Sequence, residues 1–374
     1  MGTLQQLVEQ HCPNGVEYVR LGDVMEMKRG TSITKKQVTP GLIPVIAGGR
    51  SAAYFHGVSN RSGETIVVAG SGAYAGHVSW WDTEIFVSDA FSIKSVNSAT
   101  CLRYIYHYMS SMQQTLYDLK SSGGVPHVYI KDIAPLEIPL PPRVVQEKIV
   151  DYLDALSAVY ENLDTEIAQR EQQFEAYRGI LMASATGDEV NLGNVAEYST
   201  RRVSADGLTR ENYVGVDNLL KDLGGKISSE YGPNTKNVTA YATGDVLIGN
   251  IRPYLKKIWR ANNDGGCSGD VLAIHPTKVS SRYLYLVLSA PDFWRFNDQH
   301  SRGGKMPRGD KKAILAYNFV LPPLSVQEYI ADKLDAIQAL IDNLKHEREL
   351  RGQQFEFYRT QLLAFVAKDS TTND

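Results

Sequence analysis

The chain contains one long segment twice. From Leu140 it reads LPPRVVQEKIVDYLDALSAVYENLDTEIAQREQQFEAYRGIL, and from Leu321 it reads LPPLSVQEYIADKLDAIQALIDNLKHERELRGQQFEFYRTQL; 23 of these 42 paired positions are identical. The offset from Leu140 to Leu321 also relates residues outside these segments, namely Gly63-Glu64 with Gly244-Asp245, Asp89 with Asp270, Ile93 with Ile274, Tyr104 with Tyr285 and Pro126 with Pro307. A repeat of this length indicates two copies of one structural unit, so we expect a pseudo-two-fold tandem repeat.

A second offset relates the starts of the two copies. LGDVMEM, from Leu21, pairs with LGNVAEY, from Leu192, at a spacing ten residues shorter than the main offset. From this difference we expect the first copy to carry extra length between Glu26 and Gly63.

The repeated segment has apolar residues at alternating spacings of four and three, which predicts a long amphipathic helix in each copy. The seam positions are Ile149, Leu153, Leu156, Leu163 and Ile167 in the first copy, and Ile330, Leu334, Ile337, Ile341 and Leu344 in the second. Such a narrow seam needs a partner, and we expect the two helices to pair as an antiparallel coiled coil. Both begin after Leu-Pro-Pro, where proline suits a helix start. The alternative is that these heptads are ordinary core packing.

The remaining sequence predicts mixed α/β (α+β) globular parts. Short apolar runs bounded by Gly, Ser, Asn and Asp predict strands at 65–68, 84–87, 245–248 and 271–274. Helices are expected at 102–119 and 282–296. The predicted division is a first globular domain at 14–142, a spacer helix at 143–189, a second globular domain at 190–320, a spacer helix at 321–367 and a tail at 368–374.

The charge is distributed unevenly along the chain. The formal net charge is −3, but residues 14–142 sum to +1 and 190–320 to +6, whereas 143–189 sum to −6 and 321–374 to −3. The acidic excess therefore lies in the two helices. The three cysteines, an odd number without metal-ligand spacing, favour a reducing cytoplasm over a disulfide framework. The first fifteen residues lack a basic and then apolar stretch, and no long apolar run occurs, so we expect no membrane association.

Sequence signatures of catalysis are absent. Gly304-Lys305 is followed by Met306, and Gly225-Lys226 by Ile227, so neither is a phosphate-binding loop. The glycine run 70–76 is followed by a strand-like segment, which favours a hairpin or recognition loop over a nucleotide site. No histidine pair has metal-ligand spacing and no serine lies in a nucleophile elbow. We therefore expect a non-catalytic protein without a metal or cofactor of its own.

Basic and small polar residues recur in loops at corresponding places of both copies. This composition suits contacts with phosphate oxygens and base edges, and it predicts double-stranded DNA as the ligand. The candidates in the first copy are Lys28, Arg29, Thr31, Ser32, Lys35, Lys36, Ser71, Tyr74, His77, Ser122 and His127. In the second copy they are Arg201, Arg202, Arg252, Tyr254, Lys256, Lys257, Arg302, Lys305 and Arg308. For any one charged run, plain solvated surface is an equally good interpretation, and for His77 and His127 a structural role is the first interpretation.

The two Leu-Pro-Pro…Gln-Glu…Ile…Leu-Asp segments, followed by Gln-Gln-Phe-Glu…Tyr-Arg, resemble those of the specificity subunits of type I restriction-modification systems. The resemblance covers essentially the whole chain. It implies two target-recognition domains that each read half of an interrupted DNA site, and a coiled coil that sets their spacing. It also implies partners: two methyltransferase subunits that use S-adenosylmethionine, and restriction subunits that act as ATP- and Mg-dependent motor nucleases.

Two other functions stay open at this stage. A scaffold that organises partner proteins without binding DNA is compatible with the near-neutral first domain. An enzyme that acts alone would need an uncommon active site.

Overall fold

The computed structural model describes residues 2–121 and 124–368. The chain divides into two compact units. Unit 1 combines the chain up to Glu166 with the chain from Leu344 onward, and unit 2 runs from Ile167 to Asn343. Each unit thus contains one globular part and portions of both long helices, whereas the predicted division treats each helix as a separate segment.

Unit 1 has three sheets. Its short helices are α1 (Gly2–His11), α2 (Leu21–Val24), α3 (Leu102–Ser111), α4 (Gln113–Asp118) and α5 (Ile130–Ile133), and the long helix α6 spans Arg143–Ser184. Its strands are β1 (Tyr18–Arg20), β2 (Met25–Arg29), β3 (Ile43–Ile46), β4 (Tyr54–His56), β5 (Thr65–Ala69), β6 (Val78–Trp81), β7 (Phe86–Val87), β8 (Ala90–Ser95) and β9 (Glu137–Pro139). The main sheet has the antiparallel order β2-β8-β5-β6, the second sheet is β4-β3-β7, and β1 pairs with β9.

Unit 2 repeats this plan. Its strands are β10 (Asp188–Asn191), β11 (Ala196–Tyr198), β12 (Arg202–Ser204), β13 (Tyr213–Val214), β14 (Asn237–Tyr241), β15 (Val246–Gly249), β16 (Ile258–Arg260), β17 (Gly265–Cys267), β18 (Val271–Pro276) and β19 (Asn318–Leu321). Its helices are α7 (Ser281–Ser289), α8 (Pro291–Gln299), α9 (Lys311–Leu315) and the long α10 (Leu324–Leu363). The main sheet is β11-β18-β15-β16, the second sheet is β12-β14-β17-β13, and β10 pairs with β19. The predicted mixed α/β character is confirmed in both units.

Strand β5 in unit 1 and strand β15 in unit 2, which we call the central strands of the main sheets, are buried along their whole length. In β5, Ile66 and Val68 face a cluster that includes α3, while Val67 faces a second cluster formed with the smaller sheet. In β15, Val246 and Ile248 likewise face one cluster and Leu247 another. Successive strand residues point to opposite faces, so a strand covered on both faces is a continuous apolar run. This is why these strands could be predicted.

Strand register corrects part of the predicted alignment. Ile66 pairs with Ile93, and Val246 pairs with Ile274. The equivalent of Ile66 is thus Val246, and the predicted match of Glu64 with Asp245 was wrong by one position. Met25 pairs with Ser95, and Ala196 pairs with Pro276, which makes Met25 and Ala196 equivalent. In sequence number, the equivalent residues Ile66 and Val246 are farther apart than the equivalent residues Met25 and Ala196. The segment between these two matched positions is therefore longer in the second copy, and the prediction of extra length in the first copy was wrong.

A buried glutamine joins each long helix to its globular part. Gln146 accepts a hydrogen bond from the Cys101 backbone N–H at 2.7 Å and donates to the Pro141 and Ala99 carbonyls at 2.7 and 3.1 Å. Gln327 accepts from the Ser280 N–H at 2.8 Å and donates to the Pro322 carbonyl at 2.7 Å. These bonds cap the N-termini of α3 and α7, where helix N–H groups lack partners within the helix.

A tyrosine makes a second repeated contact. The Tyr104 hydroxyl donates to the Pro139 carbonyl at 2.9 Å, and the Tyr283 hydroxyl donates to the Val320 carbonyl at 3.0 Å. The structural equivalent of Tyr104 is therefore Tyr283, and the predicted match with Tyr285 was wrong. The loops before α3 and α7 differ in length, and this difference shifts the local offset.

The two long helices run antiparallel where they meet in each unit. In unit 1, Arg348 donates to both carboxylate oxygens of Asp164 at 2.8 and 3.0 Å, and the rings of Tyr160 and Phe355 lie 5.4 Å apart. Asp164 follows Tyr160 in α6, whereas its partner Arg348 precedes Phe355 in α10, so the two helices run in opposite directions. In unit 2, Phe174, Leu181 and Met182 pack against a cluster that contains Ile330, Ala331 and Leu334. The predicted antiparallel pairing is confirmed.

The seam residues differ in burial. Those that are buried are Ile149, Leu153, Leu163, Ile167, Ile330, Leu334 and Ile341, and those that are partly exposed are Leu156, Ile337 and Leu344. Ile149 and Leu153 share a cluster with Tyr104 and other residues of the globular part. Part of the seam is therefore ordinary core of the globular domain, as the alternative interpretation had it.

The ends of the described chain lie together in unit 1. Leu4 of α1 is buried against the same core as Leu362 and Phe365. The Val16 N–H donates to the Val366 carbonyl, and the Lys368 N–H donates back to the Val16 carbonyl, both at 2.9 Å. Helix α1 was not predicted, and residues 369–374 of the predicted tail lie outside the described residues. In the described part of the chain, no helix combines the length and apolar composition that crossing a membrane requires.

Candidate nucleic-acid interface

In unit 1, two loops that are distant in sequence are bonded side by side. Strands β5 and β6 form an antiparallel pair, which confirms the predicted hairpin around the glycine run. The Gly70 N–H donates to the Asp89 carbonyl at 3.1 Å, and the Gly72 N–H donates to the Pro126 carbonyl at 2.9 Å. The Val128 N–H donates to the Gly70 carbonyl at 3.1 Å. Gly72 adopts a φ of 81°, which the absence of a side chain permits.

Polar side chains gather where these loops meet. The buried Ser71 hydroxyl donates to Oδ2 of Asp89, whose residue is exposed. His127 pairs with Ser71 in an isolated bridge, and its Nδ1 lies 2.6 Å from the Val125 carbonyl oxygen. Because a carbonyl only accepts, Nδ1 carries the proton, and Nε2 is the acceptor when the ring is neutral. The His127 ring stacks on Tyr129 with centroids 5.7 Å apart and planes 5° apart.

Asp89, His127 and Tyr129 line a cleft of about 680 Å³. Of the predicted DNA-binding residues, Arg29, Ser32 and His127 line it. The cleft also includes residues that the sequence reasoning missed, namely Asp89, Tyr129 and Lys131. The Lys131 ammonium lies 5.5 Å from the centre of the Tyr129 ring. An aromatic ring beside basic groups is a surface suited to nucleic-acid contacts, and the alternation of His, Tyr and Lys at 127–131 was the available signal.

The other candidates of unit 1 lie outside the lining of this cleft. Lys28 pairs with Glu26 at 2.9 Å on β2, and the Thr31 N–H donates to the Val87 carbonyl at 3.0 Å. Lys35 and Lys36 are exposed on a short 3₁₀ turn. Ser122 lies outside the described residues.

Tyr74 and His77 lie on the glycine loop near one arginine. The Arg50 guanidinium, which was not predicted, lies 4.7 Å from the centre of the exposed Tyr74 ring. His77 is half-buried with the Tyr117 hydroxyl 3.3 Å from Nδ1. Burial, and then the charge of Arg50, lower the pKa of His77. A neutral imidazole held by Tyr117 fits the structural interpretation of His77 better than a phosphate contact.

Unit 2 brings the equivalent loops together with basic side chains. The Arg252 N–H donates to the Pro307 carbonyl at 2.7 Å, and the Gly309 N–H donates to the Asn250 carbonyl at 3.2 Å. Arg252 and Lys256 adopt φ values of 53° and 49°, the left-handed region that non-glycine residues seldom occupy. Strained backbone of this kind concentrates at functional loops.

The loop that carries Arg302, Lys305 and Arg308 is a small hairpin. The N–H groups of Arg302 and Arg308 each donate to the other's carbonyl at 2.8 Å. Arg302 forms an ion pair with Asp310 at 2.8 Å, and Arg308 with Asp270 at 3.1 Å. Hydrogen bonds from the Ala313 and Lys312 N–H groups lower the pKa of Asp310, which keeps its charge for Arg302. The hairpin therefore holds two arginines in defined positions.

The remaining candidates of unit 2 have different surroundings. Tyr254 and Lys256 are exposed beside the hairpin's partner loop, and the Lys257 ammonium donates to the Val216 carbonyl at 2.7 Å. Arg201 and Arg202 lie at the second sheet, where the Arg202 guanidinium donates to the Asn237 carbonyl at 2.7 Å. Among the candidates of unit 2 that the structure describes, Arg252, Arg302 and Arg308 are those joined by backbone bonds where the two loops meet.

Two further observations concern the chemistry of these sites. Among residues 2–121 and 124–368, no group of three or more His, Cys, Asp or Glu side chains is arranged to hold a metal ion. Arg252 Nε and Asn250 Oδ1 are buried without a hydrogen-bond partner in that same part of the chain. Buried polar groups normally have partners, and these two atoms lie on the loop that follows β15.

The family model for the type I restriction modification DNA specificity domain matches residues 13–171 and 188–350. The chain belongs to this family. The two matched regions contain the two globular parts and the first part of each predicted spacer helix, and the family is described by DNA specificity rather than by a catalytic activity. The resemblance inferred from the sequence is confirmed.

Individual relatives extend over nearly the full chain. The specificity subunit of the EcoR124I/EcoR124II type I restriction enzyme of Escherichia coli is 21% identical over 96% of both chains. The type I restriction-modification S subunit of M. genitalium has the same fold, with a TM-score of 0.66 and 16% identity over 93% of this chain and 96% of that one. A structure from work on complex assembly of the type I R-M system has a TM-score of 0.55 and 17% identity over 94% and 98%.

Proposed function

We propose that this type I DNA specificity protein reads a bipartite, interrupted site in double-stranded DNA, with one half-site for each globular part. The observation that carries this proposal is the repeated construction of the candidate interface. In both units, the loop after the central strand is bonded to a second loop next to an aspartate, and polar or basic side chains project there. The scaffold is shared, but the side chains differ, as reading two different half-sites requires.

The difference in charge between helices and globular parts supports a division of labour. The globular parts are net positive and suit phosphate contacts. The long helices are net negative, which disfavours DNA and suits a protein partner with a complementary surface. We assign the helices to docking two methyltransferase subunits and the restriction subunits. S-adenosylmethionine, ATP and Mg would then be used by those partners.

The long helices also suit the role of a spacer. A continuous α6 of 42 residues and an α10 of 40 residues each extend about 60 Å at 1.5 Å per residue. Elements of this length, paired along a seam, would fix the number of unread base pairs between the two half-sites.

A selection experiment tests the proposed function. The chain, purified with its methyltransferase subunits, is offered a pool of randomised duplexes at several salt concentrations, and bound duplexes are sequenced. We expect two short elements with a fixed gap, and an affinity that falls as salt rises. Mapping of modified adenines in the host genome should give the same bipartite sequence. Recovery of unselected duplexes at low salt, and of none at physiological salt, would contradict the proposal.

The alternative function, a scaffold that organises partner proteins without binding DNA, is not favoured by the match to a DNA specificity domain, and its one support is the local neutralisation of some basic groups of unit 1. Lys28 pairs with Glu26, and the first globular part sums to only +1. Stable association with partner proteins that is unchanged by any duplex, together with absence of sequence selection, would favour it.

A further inference from the structure

Asp89 and Asp270 occupy the same place in the two units and engage different partners. Each precedes the strand beside the central strand, and each backbone carbonyl accepts a bond from the loop after that central strand, from Gly70 at 3.1 Å and from Asn250 at 2.8 Å. The two backbones are therefore held alike. A difference between the side-chain contacts reflects what each unit presents to its ligand.

In unit 2 the aspartate holds an arginine. Oδ1 of Asp270 lies 3.2 Å from Nε and 3.1 Å from Nη2 of Arg308. The backbone of Arg308 is fixed by its two bonds with Arg302, and its side chain is 52% exposed. One edge of the guanidinium is thus occupied by the carboxylate. One N–H of Nη1 and the second N–H of Nη2 lie parallel to each other along the end of the guanidinium.

This free end has the donor pattern that guanine requires. In the major groove, guanine presents two acceptors, O6 and N7, and two parallel N–H groups of one arginine bind both. A guanidinium already oriented by a carboxylate loses less conformational freedom on binding than a free arginine does. A lysine has the charge but not the planar fork.

In unit 1 the same position lacks this fork. By the offset of the repeated segment, His127 stands where unit 2 has Arg308, and Asp89 accepts from the Ser71 hydroxyl instead. The Asp89 carboxylate is an acceptor and His127 has no fork of two parallel donors, so this position suits the amino group of a base rather than guanine O6 and N7.

We propose that Arg308, positioned by Asp270, reads a guanine in the half-site bound by unit 2. The assignment rests on the proposed function and deepens it, because it names one specificity-determining residue and the base that it recognises. Arg308 is the base-reading group, and Asp270 is a positioning residue.

The test compares matched variants in selection from randomised duplexes. Arg308→Lys keeps the charge and removes the fork, Asp270→Asn removes the charge that orients the arginine, and Arg295→Lys is the control. Arg295 is an exposed arginine on α8 that pairs with Asp292 at 3.2 Å and borders a groove together with Gly179 of α6. Thermal unfolding of all variants checks that they fold like the original chain.

We expect the original chain and Arg295→Lys to select an invariant guanine at one position of one half-site. Arg308→Lys should reduce the preference for that guanine by about 5- to 150-fold, the range for losing one bidentate base contact, and leave the other half-site unchanged. Asp270→Asn should reduce the preference at the same position by a smaller factor. The salt dependence of binding should stay the same for Arg308→Lys, because the number of phosphate contacts is unchanged.

The inference fails if Arg308→Lys selects the same bases as the original chain. It also fails if Arg308→Lys lowers affinity equally for all sequences, since Arg308 would then contact phosphate rather than a base. Failure of the proposed function has a different signature, because the original chain itself would then select no bipartite sequence.

Discussion

Lengthening both long helices together is the most demanding test of the proposed spacing role. Residues 160–166 of α6 and 344–350 of α10 contact each other through Asp164 and Arg348. Repeating each segment in place inserts one heptad into both helices, and the new segments can pair with each other as the originals do. Inserting three heptads in the same way gives a longer variant. Each insertion preserves the seam, because seven residues are two turns of a coiled coil.

The geometry predicts different outcomes for the two variants. One heptad adds about 10 Å at 1.5 Å per residue, or about three base pairs. Three base pairs rotate the half-site by about 100° about the duplex axis, and a left-handed supercoil of about 150 Å pitch rotates the helix end by about 25° in the opposite sense. The mismatch is therefore about 125°. Three heptads add about 31 Å, or about nine base pairs. The half-site then rotates by about 310° and the helix end by about 75° in the opposite sense, and the sum of the two angles is within about 25° of a full turn.

The assay is selection from duplexes that carry both half-sites at every gap length, with binding constants measured for the selected sites. The three-heptad variant should prefer a gap nine or ten base pairs longer. The one-heptad variant should lose simultaneous contact with both half-sites. If the lost half-site contributes about three base pairs at about 1 kcal/mol or more each, the affinity should fall by more than about 100-fold. Circular dichroism checks that helical content increases with insertion.

Two results would refute this reasoning. An unchanged gap in both variants would show that the helices do not set the spacing. A gap three base pairs longer in the one-heptad variant, at full affinity, would show that the helices transmit length but not orientation.

Three further predictions concern folding and pH. Gln146→Ala should lower the free energy of unfolding by about 2–5 kcal/mol in urea denaturation, because it leaves buried backbone groups without partners, whereas Gln353→Ala, at an exposed helical position, should change it little. Gly76→Ala should also destabilise, by about 1–3 kcal/mol, because φ is +86° and a Cβ would lie 2.6 Å from the Leu116 carbonyl oxygen; Gly207→Ala, with no atom within 4 Å, is its control. Burial lowers the pKa of His107, so the unfolded chain binds this proton more readily, and stability should fall as pH drops through about 6.5. His107→Gln should flatten that pH dependence, and an unchanged slope would contradict the assignment.

The helices and central strands were predictable because their patterns are local. Residues spaced by three and four specify α6 and α10, and the Leu-Pro-Pro turns specify where they begin. The run at Thr65–Ala69 needs only the rule that a strand buried on both faces is apolar throughout. None of these inferences requires knowledge of a distant contact.

The exact equivalences between copies were not predictable, because they depend on long-range pairing. Tyr104 matches Tyr283 through bonds to β9 and β19, whereas the sequence offset suggests Tyr285. The parallel pairing of β13 with β17 also joins segments that are far apart in the sequence. Sequence patterns carry little information about such partners when loop lengths vary.

The basic character of the candidate interface was predicted, but several of the residues that form it were not. A search for basic residues finds Arg29 and Arg308, and it passes over Asp89, Asp270 and Tyr129. An acidic side chain becomes relevant to DNA only when the structure shows what it orients or accepts. For Lys28 and Lys257, local partners already occupy the ammonium groups.

The hydrogen bonds that Gln146 and Gln327 make from the long helices to the globular parts do not depend on which side chains the globular parts carry. Gln146 bonds only to main-chain atoms of Cys101, Ala99 and Pro141, and Gln327 bonds to main-chain atoms of Ser280 and Pro322. These glutamine bonds place no demand on the side chains of the globular part, whereas Ile149 and Leu153 of α6 do pack against its core residue Tyr104. The exposed loops of the globular part can therefore change sequence without loss of the bonds that hold it to the long helix.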